Sequence, residues 1–216
     1  SMEDLIQTIA VYAIPVLLAI TLHEAAHGYV ARMFGDSTAW MLGRVTLNPL
    51  KHVDPVGTVL VPGVILLTSA LAGAGGMLFG WAKPVPVNFA NLRHPKRDMI
   101  WVAAAGPGSN LLQAILWALL FKLLLVAGVQ ERFFFLVAQA GVSVNLVLMA
   151  LNLLPLPPLD GGRILVGLLP PGPSQALARV EPYGFFILIA LLVTGTLGVF
   201  LRPFLAIGDA IVRLFL

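Results

Sequence analysis

The chain contains no cysteine among its 216 residues, and this absence limits the chemistry that it can perform. Disulfide bonds, thiolate zinc ligands and cysteine nucleophiles are all excluded. A metal site in this chain must therefore be built from histidine, aspartate and glutamate side chains.

Charged residues are also scarce. They make up 11% of the chain, whereas 59% is hydrophobic and the mean hydropathy is +0.94. This balance is far more apolar than that of a soluble domain and predicts an integral membrane protein. The net charge of +3 comes from lysine and arginine residues between the apolar runs. Because they form no basic face with aromatic neighbours, we expect no nucleic-acid partner.

The long apolar runs predict an all-α polytopic membrane protein with about five to six transmembrane helices, in a single membrane-embedded domain over 1–216. The core helices are predicted at about 5–34, 56–72, 99–129, 133–154 and 183–201. The tail 203–216 is expected to span, to re-enter or to lie at the interface. Alternating residues near 37–54 and 80–90 predict short re-entrant or extended β segments.

Basic residues are concentrated in two loops, and the positive-inside rule places both loops in the cytoplasm. The intervening region 56–90 must then begin and end on the cytoplasmic side of the membrane. If both loops are cytoplasmic, helix 99–129 leaves the cytoplasm and helix 133–154 returns to it. The residues after 154 then lie on the cytoplasmic side, where the first helix also ends. The basic residues concerned are Arg32, Arg44, Lys51, Lys83, Arg93, Lys96 and Arg97.

An HExxH motif, formed by His23, Glu24 and His27, lies inside the first apolar run. On a helix the two imidazoles lie one turn apart and point to one place, with Glu24 beside them. Zinc binds neutral imidazole nitrogens, and the carboxylate is placed to act on a water at the metal rather than on the metal. Isolated HExxH matches also arise by chance, but these polar residues are costly to bury in an apolar helix without a function.

A catalytic zinc held by two histidines needs a third protein ligand from elsewhere in the fold. Asp160 is the strongest candidate, because it follows an apolar helix and lies in a turn of proline and glycine. Its position also allows it to cap the short helix that follows. Spacing alone leaves ligand and cap equally open, and one residue can serve as both.

Two separated motifs, HEAAH at 23–27 and NLLPLPPLDGG at 152–162, together resemble the site-2 protease family of intramembrane zinc metalloproteases, peptidase family M50. The segments AGPGSN at 105–110 and GWAKPVPVN at 80–88 are similar to its compact prokaryotic branch without a PDZ domain. The resemblance covers nearly the whole chain.

The resemblance implies one Zn²⁺ per chain and a role for each matching residue. Glu24 would be the general base, and Asn152 would help to hold the substrate or the developing oxyanion. The extended segment would pair with an unwound substrate strand. In full, the implied metal ligands are His23, His27 and Asp160, and the implied substrate-binding residues are Val85, Val87 and Asn88.

The predicted function is an intramembrane zinc endopeptidase that cuts within or near the transmembrane segments of other proteins. Its partners would be transmembrane substrates and the lipid bilayer, and its location the prokaryotic cytoplasmic membrane, with the active site nearer the cytoplasm. The alternative is a membrane metal transporter or a metal sensor that uses the same His/His/Asp site. A transporter is expected to carry polar sites along a path, often with repeat symmetry. Here the unusual polar residues lie at one depth without a repeat.

Other polar residues receive structural interpretations. Asn110 and Asn145 are expected to be helix-packing groups. Arg163 is expected to snorkel or to support the nearby acidic residue of the PLDGG turn. His52 and His94 lie in basic, turn-rich loops and are expected to be solvated or interfacial.

Overall fold

The computed structural model describes residues 1–54 and 84–216. Within these residues, two 3-10 helices, Pro49–His52 and Phe89–Asn91, accompany the α-helices, and no residue forms a strand. The predicted helix 56–72 and residues 80–83 of the predicted extended segment lie outside the described residues. The α-helices are α1 Met2–Met33, α2 Thr38–Met41, α3 Pro95–Val126, α4 Arg132–Leu153, α5 Asp160–Leu168, α6 Pro171–Ala178, α7 Glu181–Val193 and α8 Leu197–Arg213.

Three of these helices are long and apolar enough to cross a membrane: α1 and α3 with 32 residues each and α4 with 22. At about 1.5 Å per residue, each exceeds the hydrocarbon core of about 30 Å. The pair α6 and α7 is bent by 63° and would make a fourth span if the two crossed together. The described residues thus hold three or four candidate spans, and the predicted five to six are not confirmed.

The first helix begins and ends at clear local signals. The Ser1 side chain accepts a hydrogen bond from the Asp4 N–H, and the Asp4 carboxylate accepts one from the Ser1 backbone nitrogen, so a capping box starts α1. The helix stops before Gly35, which has a φ of +114° that side-chain-bearing residues rarely adopt. The first helix therefore ends within one residue of the predicted end at about 34.

The predicted single helix over 183–201 is wrong, because the chain breaks between α7 and α8. Gly195 has a φ of +72°, the left-handed conformation that commonly ends a helix. The N–H of Thr196 donates to the Leu191 carbonyl at 3.0 Å and closes the last turn of α7. With 13 residues, α7 is about 20 Å long and too short to span alone. The predicted tail 203–216 belongs mainly to α8.

The strands predicted over 37–54 are also wrong. The Asp36 carboxylate accepts hydrogen bonds from the N–H and the hydroxyl of Thr38. Thr38 is the first residue of α2, so a helical turn forms here instead of a strand. Further on, the Asn48 side chain accepts from the Leu50 N–H and begins a 3-10 helix. These side-chain hydrogen bonds favour local turns over a ladder. Near 80–90, the described part is non-helical up to a 3-10 helix, so a β segment is not confirmed there either.

A cluster of small and flexible apolar side chains packs α3, α4 and α8 together. Among the three long helices, α4 is the most enclosed. In its most apolar stretch 39% of the residues are buried, compared with 22% in α1 and 22% in α3. Gly208 lets α8 approach closely, since a Cβ there would lie 2.6 Å from Met149 Cε. The buried residues of the cluster that packs α3, α4 and α8 are Ala114, Ala118, Leu146, Met149 and Val212.

The short helix α5 is fixed at both ends. At its N-terminal end, a Cβ on Gly161 would lie 2.1 Å from the Leu153 carbonyl oxygen, so only glycine allows this approach to α4. At its C-terminal end, the Lys96 ammonium group donates to three backbone carbonyls that the helix leaves unpaired, a favourable place for a cation. The acceptors are the carbonyl oxygens of Val166, Gly167 and Leu169. Asp160, the first residue of α5, is thereby held in place.

Candidate metal centre

The structure brings His23 and His27 on α1 to Asp160 at the start of α5. The two Nε2 atoms lie 3.1 Å apart, and a carboxylate oxygen of Asp160 lies 2.9 Å from His23 Nε2 and 3.2 Å from His27 Nε2. Three ligands on zinc bonds of about 2.0–2.1 Å in a tetrahedron would lie about 3.3 Å apart. The three donors therefore fit a zinc ion, and the donor set is one that zinc prefers.

The alternative role of Asp160, as a helix cap, finds no support in the geometry. The residue that precedes α5 is Leu159, and no side chain makes a capping hydrogen bond there. The Asp160 carboxylate instead faces the two imidazoles. Its side chain is 13% exposed, against 9% and 11% for those of His23 and His27, so all three groups are shielded.

Each imidazole is oriented by a hydrogen bond at its other nitrogen. His27 Nδ1 lies 2.7 Å from the Val102 carbonyl oxygen, and His23 Nδ1 lies 2.6 Å from Asn110 Oδ1. Because both partners are acceptors, each Nδ1 carries a proton, and a neutral ring in this tautomer would bind an ion through the Nε2 lone pair. The prediction that Asn110 is a helix-packing group is confirmed by its hydrogen bonds to the Ala19 carbonyl and to Asn145, but its contact with His23 was not predicted. Its position in AGPGSN, beside glycine and proline in an apolar helix, was the available signal.

Gly106 on α3 forms the floor of this centre. A Cβ at this position would lie 2.4 Å from His27 Nε2 and 2.5 Å from His23 Nε2. It would thus occupy the space on which the metal-binding nitrogens converge. The missing side chain is what leaves room for an ion.

Substitution of this glycine gives a direct test of the ligand geometry. Gly106→Ala is expected to weaken zinc binding at least about tenfold, because the methyl group displaces the imidazoles, and second-sphere changes alone commonly cost that much. The matched control is Gly108→Ala on the same helix, where a Cβ would meet nothing within 4 Å. Zinc retention is measured in both variants as the zinc content that remains after dialysis against a chelator. Equal zinc retention by the two variants would show that the ion lies elsewhere.

Glu24 lies beside the metal-ligand group rather than in it. Its Oε2 accepts a hydrogen bond of 2.9 Å from the backbone N–H of Val85. Both residues line a cavity of about 670 Å³ that also reaches the three metal-binding side chains. Asn152 lines the same cavity, and one of its amide N–H groups donates to the Leu148 carbonyl of its own helix at 2.9 Å. The cavity can therefore hold a peptide against the metal ligands and Glu24.

The predicted substrate-binding residues separate into two groups. Val85 and Val87 line the cavity, whereas Asn88 is not among its lining residues. Instead, the Asn88 N–H donates to the Asp36 carboxylate at 2.8 Å and its side chain caps the following 3-10 helix through the Ala90 N–H.

Two further predictions differ from the structure. Arg163 does not pair with the acidic residue of the PLDGG turn but with Glu181, at 2.7 Å. His52 is only 2% exposed rather than solvated, and its Nε2 donates to the Thr46 carbonyl at 3.0 Å. The partner of Arg163 lies 18 positions away, whereas that of His52 lies six positions away within the same loop.

Comparison with known proteins finds relatives whose names also include zinc. "Putative zinc metalloprotease YwhC" of Bacillus subtilis is 41% identical over 212 residues, which are 94% of this chain and 89% of that protein. Proteins named "Putative zinc metalloprotease Rip2" from Mycolicibacterium smegmatis and Mycobacterium tuberculosis are 30% and 33% identical, over 84% of this chain and 66% of theirs. Residues 127–194 match the family model of peptidase family M50. No solved structure matches the chain.

Site and similarity together define a membrane-embedded zinc metalloprotease. The chain belongs to peptidase family M50, and the resemblance found in its motifs is confirmed.

Proposed function

We propose that this enzyme is an intramembrane endopeptidase that hydrolyses peptide bonds within or near the transmembrane segments of other membrane proteins. His23, His27 and Asp160 would hold one zinc ion. The observation that supports this most is the position of His23 and His27, whose side chains lie on a helix long enough to span a membrane and are only 9% and 11% exposed there. When bound, zinc supplies a Lewis acid that polarises the scissile carbonyl and makes water a better nucleophile.

Glu24 is proposed as the general base. Its carboxylate takes the proton of the attacking water and returns it to the departing nitrogen of the cleaved bond. The hydrogen bond from the Val85 N–H holds one carboxylate oxygen of Glu24, which lines the cavity. Asn152, on the same cavity, would donate an amide N–H to the oxygen of the tetrahedral intermediate.

The segment 84–88 is proposed to hold the substrate as an added strand. A transmembrane helix hides its carbonyls in its own hydrogen bonds and must unwind locally before it can be cut. Within the described part of the chain, the N–H and the carbonyl of Val87 make no hydrogen bond. An unwound peptide could therefore pair with this backbone beside Glu24, and such strand addition would keep it extended.

Asp36 is proposed to anchor this segment to the end of α1. The carboxylate is 1% exposed and accepts from the Asn88 N–H, the Asn91 amide and Thr38. Burial acts to raise its pKa, but the hydrogen bonds from these groups outweigh burial and lower the pKa below the ordinary 3.8. The group is therefore ionised at neutral pH. Its contribution to stability is present above the ordinary pKa and is lost as the pH falls through the lowered pKa.

Asp36→Asn is expected to raise the KM for a peptide substrate about tenfold, because the amide nitrogen cannot accept from the Asn88 N–H and a charge-assisted hydrogen bond of about 1.5–3 kcal/mol is lost. Zinc content should be unchanged. KM and zinc content are measured for the variant and for Asp209→Asn, which alters an exposed ion pair on α8. An unchanged KM would remove Asp36 from the substrate-binding apparatus.

The location is proposed as the prokaryotic cytoplasmic membrane, with the active site nearer the cytoplasm. Basic residues are more frequent at the end of the bundle that carries the metal centre, which includes Arg32, Arg93 and Lys96. The opposite ends of α3 and α4 carry Lys122 and Arg132. This asymmetry supports a cytoplasmic position under the positive-inside rule.

The proposed function is tested with detergent-purified protein and a generic single-span membrane protein. Cleavage inside the span is expected with zinc and should stop when a chelator is added, then return with restored zinc. In a parallel assay, liposomes containing the protein report zinc flux. Zinc flux that depends on His23, without any cleavage, would contradict the protease function and favour the metal transporter.

A further inference from the structure

Two buried amides connect His23 to the interior of the helix bundle. His23 Nδ1 lies 2.6 Å from Asn110 Oδ1, Asn110 Nδ2 donates to Asn145 Oδ1 at 2.9 Å, and Asn145 Nδ2 donates to the Gly141 carbonyl at 2.8 Å. Both asparagines are fully buried, at 0% exposure. We call this chain of hydrogen bonds the amide relay. It joins α1, α3 and α4, the three long helices.

Two backbone carbonyls fix the direction of the amide relay. The carbonyl of Gly141 can only accept, so Asn145 must turn its NH₂ group toward it and its oxygen toward Asn110. The Asn110 NH₂ group lies between that oxygen and the Ala19 carbonyl, 3.2 Å away. Flipping either amide would place two oxygens in contact without a proton between them. Asn110 Oδ1 must therefore face His23, whose Nδ1 must carry the proton.

We infer that Asn110 and Asn145 are positioning residues of the metal centre. The amide relay holds the His23 ring in the tautomer and orientation that direct the Nε2 lone pair at the ion. Asn110 acts on the ring directly, and Asn145 acts through Asn110. This inference depends on the proposed role of His23 as a zinc ligand. Partners of this kind commonly contribute about 10–100-fold to metal affinity.

His27 provides an internal reference for this inference. Its Nδ1 donates to the backbone carbonyl of Val102, which no side-chain substitution removes. Loss of the amide relay should consequently disturb His23 and leave His27 as it is. A general loosening of the helix bundle would disturb both rings, because both lie on α1 within one turn.

The test compares Asn110→Leu and Asn145→Leu in the full chain loaded with zinc. The matched control is Gln113→Leu. Gln113 is a buried amide on α3, 6% exposed, and neither amide atom has a hydrogen-bond partner among residues 1–54 and 84–216. A protonated carboxylic acid keeps the acceptor that faces His23 and one of the two donors of the Asn110 amide, so Asn110→Asp should restore part of the zinc affinity that Asn110→Leu removes.

Two measurements are made on each variant. Zinc affinity is determined by competition with a chelator, and the exchange of each imidazole Nδ1–H with water is followed by NMR of protein labelled with ¹⁵N-histidine. The chain has four histidines, few enough to assign by single substitution.

Zinc affinity is expected to fall about 10–100-fold in Asn110→Leu and about tenfold in Asn145→Leu, and to stay unchanged in Gln113→Leu. The Nδ1–H of His23 should exchange faster in both relay variants while that of His27 keeps its rate. Equal changes at His23 and His27, or unchanged exchange and affinity in Asn110→Leu, would overturn the inference. Asn145→Ala replaces Asn145→Leu if the larger side chain prevents folding.

A further variant separates failure of this inference from failure of the proposed function. His23→Gln should remove most of the zinc affinity. If His23→Gln binds zinc like the wild type, the proposed metal centre is wrong. If His23→Gln loses zinc whereas Asn110→Leu keeps both its affinity and its slow exchange, the metal centre stands and the amide relay has no positioning role.

Discussion

Glu24→Gln is expected to lower the rate of peptide cleavage by at least about 100-fold, because general acid–base catalysis typically contributes 10²–10⁴-fold and the amide cannot take a proton from water. Zinc binding should be unchanged, since the side chain lies beside the metal-ligand group rather than in it. The amide oxygen of glutamine can still accept from the Val85 N–H, so the segment 84–88 should keep its place.

The measurement for this variant is kcat on a single-span substrate, together with zinc content. Glu3→Gln, in the exposed first turn of α1, is the matched control and should cleave normally. A Glu24→Gln enzyme with full zinc and normal kcat would exclude this carboxylate as the base. A loss of zinc in the same variant would instead point to a direct metal contact.

Asp160→Ala is expected to reduce zinc affinity by more than about 100-fold, because it removes a donor that contacts both imidazoles, and even partners outside the ligand set commonly cost 10–100-fold. Cleavage should be lost with the zinc. The change is measured as zinc stoichiometry after dialysis and as affinity in competition with a chelator.

Glu181→Ala is the control for Asp160→Ala. It removes a carboxylate that pairs with Arg163 one turn along α5, without contact to the imidazoles. Zinc content should stay at one per chain in the control. Full zinc occupancy in Asp160→Ala would remove Asp160 from the ligand set and would leave only two protein ligands among the described residues.

The convergence of the two motifs was predictable from the sequence because each carries its own chemical signal. HExxH fixes its spacing on one helix face, and a lone acidic residue after an apolar helix is rare in such a chain. The structure places Asp160 within hydrogen-bond distance of His27, 133 positions earlier. The positive-inside rule, with region 56–90 returning to the cytoplasmic side, predicted that the two motifs share one side. The roles of Glu24 and Asn152 in chemistry stay predictions, and Glu24→Gln tests the first of them.

Some of the remaining features depend on contacts between distant segments, which local patterns do not encode, and others depend on single local turns. The partner of Asn110 lies 87 positions away and that of Arg163 lies 18 away. Hydropathy predicts one span over 183–201 because the residues on both sides of the break are apolar. In the structure, the turn at Gly195 ends α7 although the apolar residues continue. Over 37–54, side-chain capping overrode the alternating pattern.

The amide relay also has a consequence for how the protein assembles in lipid. An asparagine on an isolated helix in hydrocarbon leaves its polar atoms unsatisfied, and that exposure is costly. Association of α1, α3 and α4 satisfies these atoms. Each hydrogen bond between the helices contributes about 1–2 kcal/mol to the association. The same contacts that prepare the enzyme for its ion thus help to drive the three helices together before any ion arrives. Removal of zinc by a chelator should therefore leave the bundle assembled and ready to be reloaded.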